Sequence, residues 1–424
     1  MKMKLAEIAK AINAQNDIEQ WKDVEVTSVS FDSRHLDQGS LFVPLQGAQD
    51  GHQYVPSAFT NGAVASLWAS DHEITDQTHP LLVVSDPLAA LQQLGKYYLH
   101  KINPIVVAVT GSNGKTTTKD MIASILSTQF NVAKTYANFN NEIGVPVTLL
   151  NMESNTEAVV VEMGMDRFGQ LDFLSKLVNP DIAVITMIGE AHIEFFGTRD
   201  KIADAKMEIT HGLKEDGTLV FNGDEPLLEE RVKDLAQRQM RFGRQLSNNL
   251  YATSVHDEPR QLSFTVNEWP DEEFTIPMVG EYNINNALAA MEVGKILHIT
   301  PAHMKQALAN VELTENRAEW VKGKNGEQIL SDVYNSNPTA AKEVLKTIAE
   351  TPVAGRRIAV LGDMLELGDA AAKLHASLAE EIDHQKIASV YLVGEQMKNL
   401  KDKLIQEGYP AEDIYHYAAS DLQQ

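Results

Sequence analysis

A chain of 424 residues exceeds what one ordinary core supports and predicts two or three domains. With 59 acidic against 36 basic residues, the net charge of −23 disfavours nucleic acid and anionic membrane as principal partners. No uncharged apolar run reaches the roughly 18 residues of a membrane-spanning helix, and the absence of cysteine excludes disulfides and thiolate chemistry, which fits a reducing cytoplasm.

The opening "MKMKLAEIAKAINAQ" has apolar residues at helical spacing but no continuous apolar stretch, so it predicts an amphipathic helix rather than a signal peptide. Residues 1–102 contain short runs and many turns, as in "FDSRHLDQGSLFVPLQGAQDGH", and predict a small α/β domain of their own. Residues 103–314 behave differently. β-Branched runs such as "PIVVAVTG" (104–111), "EAVVVEMG" (157–164), "DIAVITMIGEAH" (181–192) and "GTLVFNGDE" (217–225) lead into polar turns and helical patterns. Such alternation predicts a parallel sheet covered on both faces. The acidic "WPDEEF" (269–274) reads as a solvated turn, and "NINNALAAMEVGKILHI" with "PAHMKQALANV" as helices before a boundary near 312–316. Residues 315–424 resume the pattern in "RRIAVLGDM" (356–364) and "ASVYLVGEQ" (388–396). The last residues, "DIYHYAASDLQQ", offer a strand and a helix cap at Ser420-Asp421 with no helix after it, which predicts a shortened third domain. Thr110, Glu162, His192 and Asp363 fall at or beyond the carboxyl ends of these strands, where sheets of this kind bind ligands.

The first central strand runs into "TGSNGKTTT". The common phosphate loop, G-x-x-x-x-G-K-[ST], has four residues between its glycines; here only Ser112 and Asn113 separate Gly111 from Gly114. The strand before it and the helix after it still supply the right setting. Backbone N–H groups at a helix start attract phosphate oxygens, Lys115 offers a point charge to the β and γ phosphates, and Thr116 offers a hydroxyl to Mg²⁺, with Thr117 next in line. An ordinary capped turn explains this combination less well.

The short loop, with "NFNNEIGVP" (138–146), "VVEMG" (160–164), "GEAHIEFFG" (189–197), "AKMEI" (205–209), "GEYNINNALAA" (280–290) and "ENRAEW" (315–320), resembles the Mur ligases, ATP-dependent amide-forming enzymes of peptidoglycan precursor synthesis. The resemblance implies a three-domain α/β fold. A central P-loop ATPase domain (103–314) lies between an N-terminal UDP-sugar-binding domain (1–102) and a C-terminal Rossmann-like domain (315–424). "SDVYNSNP" (331–338) and "VLGDMLELG" (360–368) resemble the branch that joins D-alanyl-D-alanine to UDP-N-acetylmuramoyl-tripeptide, and the D-N-P-R motif of the branch adding the third residue is absent.

The family's chemistry converts a carboxylate to an acyl phosphate with ATP, which the amine of the incoming dipeptide attacks. The resemblance makes Glu162, with Thr116, a ligand of the Mg²⁺ bridging the β and γ phosphates. His192 becomes a ligand of a second metal, and Lys206 a lysine whose amine captures CO₂ to form a supporting carbamate. It implies ATP contacts at Asn283, Asn286 (adenine), Arg317 (phosphates) and Asp332 (ribose), although Tyr282 stands where the family often has His. UDP-substrate contacts are implied at Ser33, Arg34, Asp50, His52 and Asn138, and dipeptide contacts at Tyr334, Asn335 and Asn337. A monomer is expected. Rival readings are another ligase of the superfamily, such as the third-residue-adding enzyme or a folylpolyglutamate synthase, and more distantly a P-loop small-molecule kinase or a non-catalytic nucleotide-binding scaffold.

Overall fold

The computed structural model describes residues 1–74, 78–258, 260–314 and 317–420. The chain opens with a two-residue strand, Met3–Lys4, paired antiparallel with Glu25–Val26, so the amphipathic helix begins only at Leu5 and runs to Ala11. Four parallel strands come next, in the spatial order Ser28–Ser30, Ser40–Phe42, Ala63–Ala69 and Leu81–Val84. Helix Pro87–Ile102 completes this unit. Asp86 accepts the Leu88 N–H at 2.8 Å, proline takes the first turn, and Asn103 stops the helix in the left-handed conformation. The same helix docks the unit onto the central domain: Gly95 lets the backbone approach Pro146, and the Tyr98 hydroxyl donates to the Met152 carbonyl at 3.1 Å.

The central sheet has nine strands, in the order Glu273–Ile276, Gln261–Val266, Leu250–Glu258, Arg238–Gly243, Thr218–Asn222, Ile182–Ile185, Ile105–Thr110, Ala158–Glu162 and Val132–Lys134. Along Ile105–Thr110, Val106 and Ala108 enter one apolar cluster while Val107 and Val109 enter another. Both faces are therefore covered, as the continuous apolar runs require. The sheet is not wholly parallel, because Leu250–Glu258, Gln261–Val266 and Glu273–Ile276 form an antiparallel edge. This edge corrects the reading of "WPDEEF". Its first residues do turn, but Glu273 and Phe274 begin a strand, and the fully buried Phe274 ring stacks 5.9 Å from Phe264. Alternation across an antiparallel pair decides the outcome, and the local run of acids hides it.

Beyond the linker, Glu319–Lys322 and Gln328–Ser331 form a hairpin. Helix Pro338–Glu350 then leads to a three-stranded parallel sheet of Ile358–Gly362, Ser389–Val393 and Ile414–Tyr417. One face of that sheet buries Ala359, Val390 and Leu392 in a third apolar cluster; the other leaves Val360 and Tyr415 exposed. Glu315 and Asn316 of "ENRAEW", and Asp421 of the expected terminal cap, lie outside the described residues. Among the described residues, no helix is long and apolar enough to cross a membrane.

Helix Tyr282–Ile296 is packed on nearly all sides, and this buries Glu292 completely. Neither of its carboxylate oxygens has a hydrogen-bond partner among the described residues. Burial, opposed in part by Lys295, pushes its carboxyl up from 4.5 to about 7. The folded state thus holds this proton more tightly than the unfolded chain does. Stability is highest below the unfolded value and falls as pH rises to about 7, by about 3 kcal/mol. Glu292→Met is expected to remove this slope: denaturant titrations should show the variant more stable than the parent at pH 8, with the gain shrinking toward pH 5.

Candidate active site

The shortened loop fits because it is pinned to the neighbouring strand. A β-carbon on Gly111 would collide with Thr186 Oγ1, just past strand Ile182–Ile185. The Thr186 hydroxyl donates to the Asn113 carbonyl at 2.5 Å, and the Ser112 N–H donates to the Met187 carbonyl at 2.9 Å. Gly114 takes the left-handed conformation, and a β-carbon there would strike Asn286 Oδ1. Helix Lys115–Leu126 starts at once, with its free N–H groups and positive end facing the loop. Lys115 curls back, donating to the Gly111 carbonyl at 2.8 Å, and burial holds its ammonium below the usual range against the raising effect of Glu162.

Glu162 ends the strand beside the loop and is 1% exposed. Its Oε1 accepts from Asn140 Nδ2 at 2.8 Å, while its buried Oε2 has no partner among the described residues. Asn140 is a functional candidate that the sequence did not single out, although "NFNNEIGVP" contains it. Its own carbonyl takes the Gly164 N–H at 2.8 Å, and a side chain at Gly164 would collide with its amide. The "VVEMG" glycine and the "NFNN" asparagine therefore form one bracket around the Glu162 carboxylate.

Lys206 lies on helix Arg199–Met207, is 2% exposed, and its side chain makes no ion pair or hydrogen bond among the described residues. Burial lowers its ammonium well below the usual lysine value, and the nearby Lys115 charge adds to this. His192 sits at φ 65° ahead of the short helix Ile193–Phe196, with Nδ1 2.5 Å from Glu366 Oε2. Burial lowers its pKa; Glu366 opposes this, and Lys115 and Lys206 reinforce it. The site thus brings Lys115, Glu162, His192 and Lys206 into one electrostatic neighbourhood, in which burial pushes both the His192 imidazole and the Lys206 amine toward their neutral forms.

The donor set fits a hard divalent cation. An orphaned buried carboxylate oxygen on Glu162 and the buried Thr116 hydroxyl, in the first turn of the helix after the glycines, are oxygen ligands of the kind Mg²⁺ takes.

The third domain reaches this region through polar contacts. Arg317 lies 4.0 Å over the Tyr334 ring and points Nη2 at Thr116 Oγ1, 3.4 Å away. Asn113 and Asn337 exchange side-chain amide hydrogen bonds of 3.1 and 2.5 Å, and Thr339 donates to Glu190. Asp332 accepts the Ala318 N–H at 3.2 Å, and burial raises its carboxyl. Asn138 lies beside the Tyr334 hydroxyl, while Asn335 is exposed nearby. The linker is anchored by buried Asp120, which accepts the Thr314 N–H at 3.0 Å and hydroxyl at 2.9 Å while pairing with Lys134.

Asn283 and Asn286 are placed differently from free amide hooks. Asn283 donates to the Val279 carbonyl, Asn286 donates to Asn283, and Thr118 donates to Asn286, all behind Gly114. In this arrangement their amides brace the loop.

The remaining candidates gather at the carboxyl end of the N-terminal sheet. Arg34 grips Asp32 with two bonds of 2.9 and 2.8 Å, and the Ser33 carbonyl accepts from Asn61. Asp50 bridges His52 (2.7 Å) and His72 (2.9 Å), whose rings stack 3.9 Å apart. These three residues have the spacing of a metal cluster. However, His52 Nε2 already accepts the Ala69 N–H at 3.0 Å, so its Nδ1 carries the proton given to Asp50 and has no lone pair for an ion. Phe31 meets Phe139 at 5.9 Å, which sets this end beside Asn138. A separate cleft of about 500 Å³, lined by Lys134, Tyr136 and Phe139 among others, contains none of the residues named for ATP or metal.

This fold and site are those of a three-domain ATP-dependent ligase. Models of the Mur ligase middle domain, the glutamate ligase domain and the family's catalytic domain match residues 109–294, 316–424 and 25–99, and the chain belongs to the Mur ligase family. Within it, the chain is 40% identical over 395 residues to the UDP-N-acetylmuramoyl-tripeptide–D-alanyl-D-alanine ligase of Bacillus subtilis, covering 93% of this chain and 86% of the relative. MurF of Acinetobacter baumannii superposes with a TM-score of 0.88 at 27% identity, covering 99% of this chain and 90% of that one. MurF of Thermotoga maritima in complex with ADP superposes with 0.78 at 27% identity, covering 93% and 94%.

Gly111→Ala is expected to displace the loop from Thr186 and weaken ADP binding by about 10- to 100-fold. Isothermal titration calorimetry checks this, with Gly355→Ala, whose surroundings are open, as a control for the added methyl group.

Proposed function

We propose that this protein joins D-alanyl-D-alanine to UDP-N-acetylmuramoyl-tripeptide with ATP, through an acyl phosphate, releasing ADP and phosphate in peptidoglycan precursor synthesis. One observation carries the reading: buried Lys206 has no carboxylate partner among the described residues and lies with His192, Lys115 and Glu162 next to a phosphate loop. A kinase needs the loop but has no evident use for the Lys206–His192 pair. The 40% identity to a relative named for this reaction favours it over the third-residue-adding and folylpolyglutamate readings.

In this reading Lys115 and Arg317 hold the β and γ phosphates, with the glycine-loop N–H groups beneath them. Thr116 and Glu162 would hold one Mg²⁺; His192 and a carbamate on Lys206 would hold a second. The ions supply charge stabilisation where a carboxylate must approach a phosphate. Asn140 holds one Glu162 carboxylate oxygen and leaves the other without a partner among the described residues. The carbamate needs a neutral amine, which the burial of Lys206 favours.

The peptide carboxylate attacks the γ-phosphorus and ADP departs. The dipeptide amine then attacks the acyl carbon, and phosphate leaves with one of the original carboxylate oxygens. Asp332 takes the ribose, and Asn283 and Asn286 act through the loop they brace, with adenine nearby. Tyr334, Asn335 and Asn337 form the dipeptide side, and Ser33, Arg34, Asp50, His52 and Asn138 the UDP-substrate side. Docking of the third domain over the loop, through Asn337 and Arg317, keeps water from the acyl phosphate. A cytoplasmic monomer completes the reading.

The direct test incubates the protein with UDP-N-acetylmuramoyl-tripeptide, ATP, Mg²⁺ and D-alanyl-D-alanine. Mass spectrometry should show the nucleotide product heavier by one dipeptide less water, with ADP formed. ADP formation without an acceptor requirement, or a stable phosphorylated product, would reject the ligase. Lys206→Ala should lower kcat by about 10²- to 10³-fold, and short carboxylic acids such as acetate should restore part of it. Full activity of the variant alone would remove the carbamate.

A further inference from the structure

We infer that Glu366, on the third domain, is a positioning residue that fixes the tautomer and orientation of His192 when that domain docks. Glu366 reaches the His192 segment twice. Its carboxylate lies 2.5 Å from His192 Nδ1, and its backbone carbonyl accepts the Glu194 N–H at 3.1 Å. The approach is close enough that a β-carbon on Gly368 would lie 3.2 Å from Glu194 Cγ. Both Glu366 and Gly368 adopt left-handed backbone conformations, at φ 60° and 51°, and so curl the segment after strand Ile358–Gly362 against His192.

An ionised carboxylate only accepts hydrogen bonds, so a neutral His192 must carry its proton on Nδ1 and present the Nε2 lone pair. Free histidine side chains favour the opposite tautomer, with the proton on Nε2. The carboxylate therefore selects the ring form that ligates a metal through Nε2 and makes the nitrogen more basic. Since the carboxylate belongs to the third domain and the histidine to the central one, the ligand is set correctly only in the docked arrangement. Domain docking would thereby be coupled to metal binding through a single hydrogen bond. This rests on the proposal that His192 is a metal ligand; the Glu366 contact itself does not.

The experiment uses full-length protein labelled with ¹⁵N-histidine, free of metal, at pH 8, with His192 assigned through His192→Gln. The parent should show His192 protonated at Nδ1 only. Glu366→Ala should shift it to the Nε2–H form, and Glu366→Gln, whose amide oxygen still accepts, should keep the parent form. The same tautomer in the parent and Glu366→Ala, or a doubly protonated ring in the parent, would overturn the inference. Unfolding midpoints verify that the half-exposed Glu366 can be replaced without loss of the fold.

A second arm follows Mn²⁺ binding in the presence of ADP by electron paramagnetic resonance. Glu366→Ala should weaken the His192-dependent ion by about 10- to 100-fold, with Glu366→Gln in between. If His192→Gln loses that ion while Glu366→Ala leaves its affinity unchanged, the positioning role is wrong. If His192→Gln leaves Mn²⁺ binding untouched, the metal reading of His192 fails, and the tautomer spectra still decide the Glu366 contact.

Discussion

The site depends on buried charge that the protein leaves unbalanced. Lys115 and Lys206 lie within electrostatic reach of each other, and burial pushes both down from the ordinary lysine value. Glu162 satisfies one carboxylate oxygen through Asn140 and leaves the other without a partner among the described residues. A buried ionic group without its complement costs several kcal/mol. A protein that keeps such groups together is incomplete without a ligand that brings the missing charges. In the proposed reading, phosphates would answer the lysine, a divalent cation would answer the carboxylate, and CO₂ captured by a neutral Lys206 amine would turn an awkward cation into an anion.

The surrounding fold serves to hold these groups still. The sheet fixes the loop through Thr186 and Glu162 through strand register, and the apolar clusters on its two faces supply the rigidity. The first domain shares an apolar cluster with the central one, through Leu94, Tyr98 and Val145 among others. The third has its own cluster, which Ile193 of the central domain touches, and otherwise meets that domain through polar pairs: Asn337 with Asn113, Arg317 with Thr116, Thr339 with Glu190 and Glu366 with His192. Polar contacts of this kind exchange readily with water, whereas a shared apolar core does not. The geometry suits a first domain fixed in place and a third that docks and releases.

Much of this is legible in the sequence because it is local. β-Branched runs ending at Thr110 and Glu162, and the glycine pair with Lys115 and Thr116, need only neighbouring residues to be understood. Residues whose meaning lies across the chain are hidden. Asn140 gains its role from Glu162, 22 positions away, and Glu366 from His192, 174 positions away. Asp120, in sequence only part of a helix, anchors the linker at Thr314. Local patterns also mislead: the acids of "WPDEEF" mask a buried edge strand. The contacts of Asn283 with Val279 and of Asn286 with Thr118, which tie the ATP contacts implied by the resemblance to the back of the loop, are equally invisible in the local sequence.

The central claim is that this charge arrangement drives a carboxylate onto the γ-phosphate. Positional isotope transfer tests it most directly. UDP-N-acetylmuramoyl-tripeptide carrying ¹⁸O in both oxygens of its terminal carboxylate is turned over with ATP and D-alanyl-D-alanine, and the released phosphate is weighed. An acyl phosphate predicts one ¹⁸O in each phosphate formed and one retained in the new amide. Phosphate free of ¹⁸O would contradict the account.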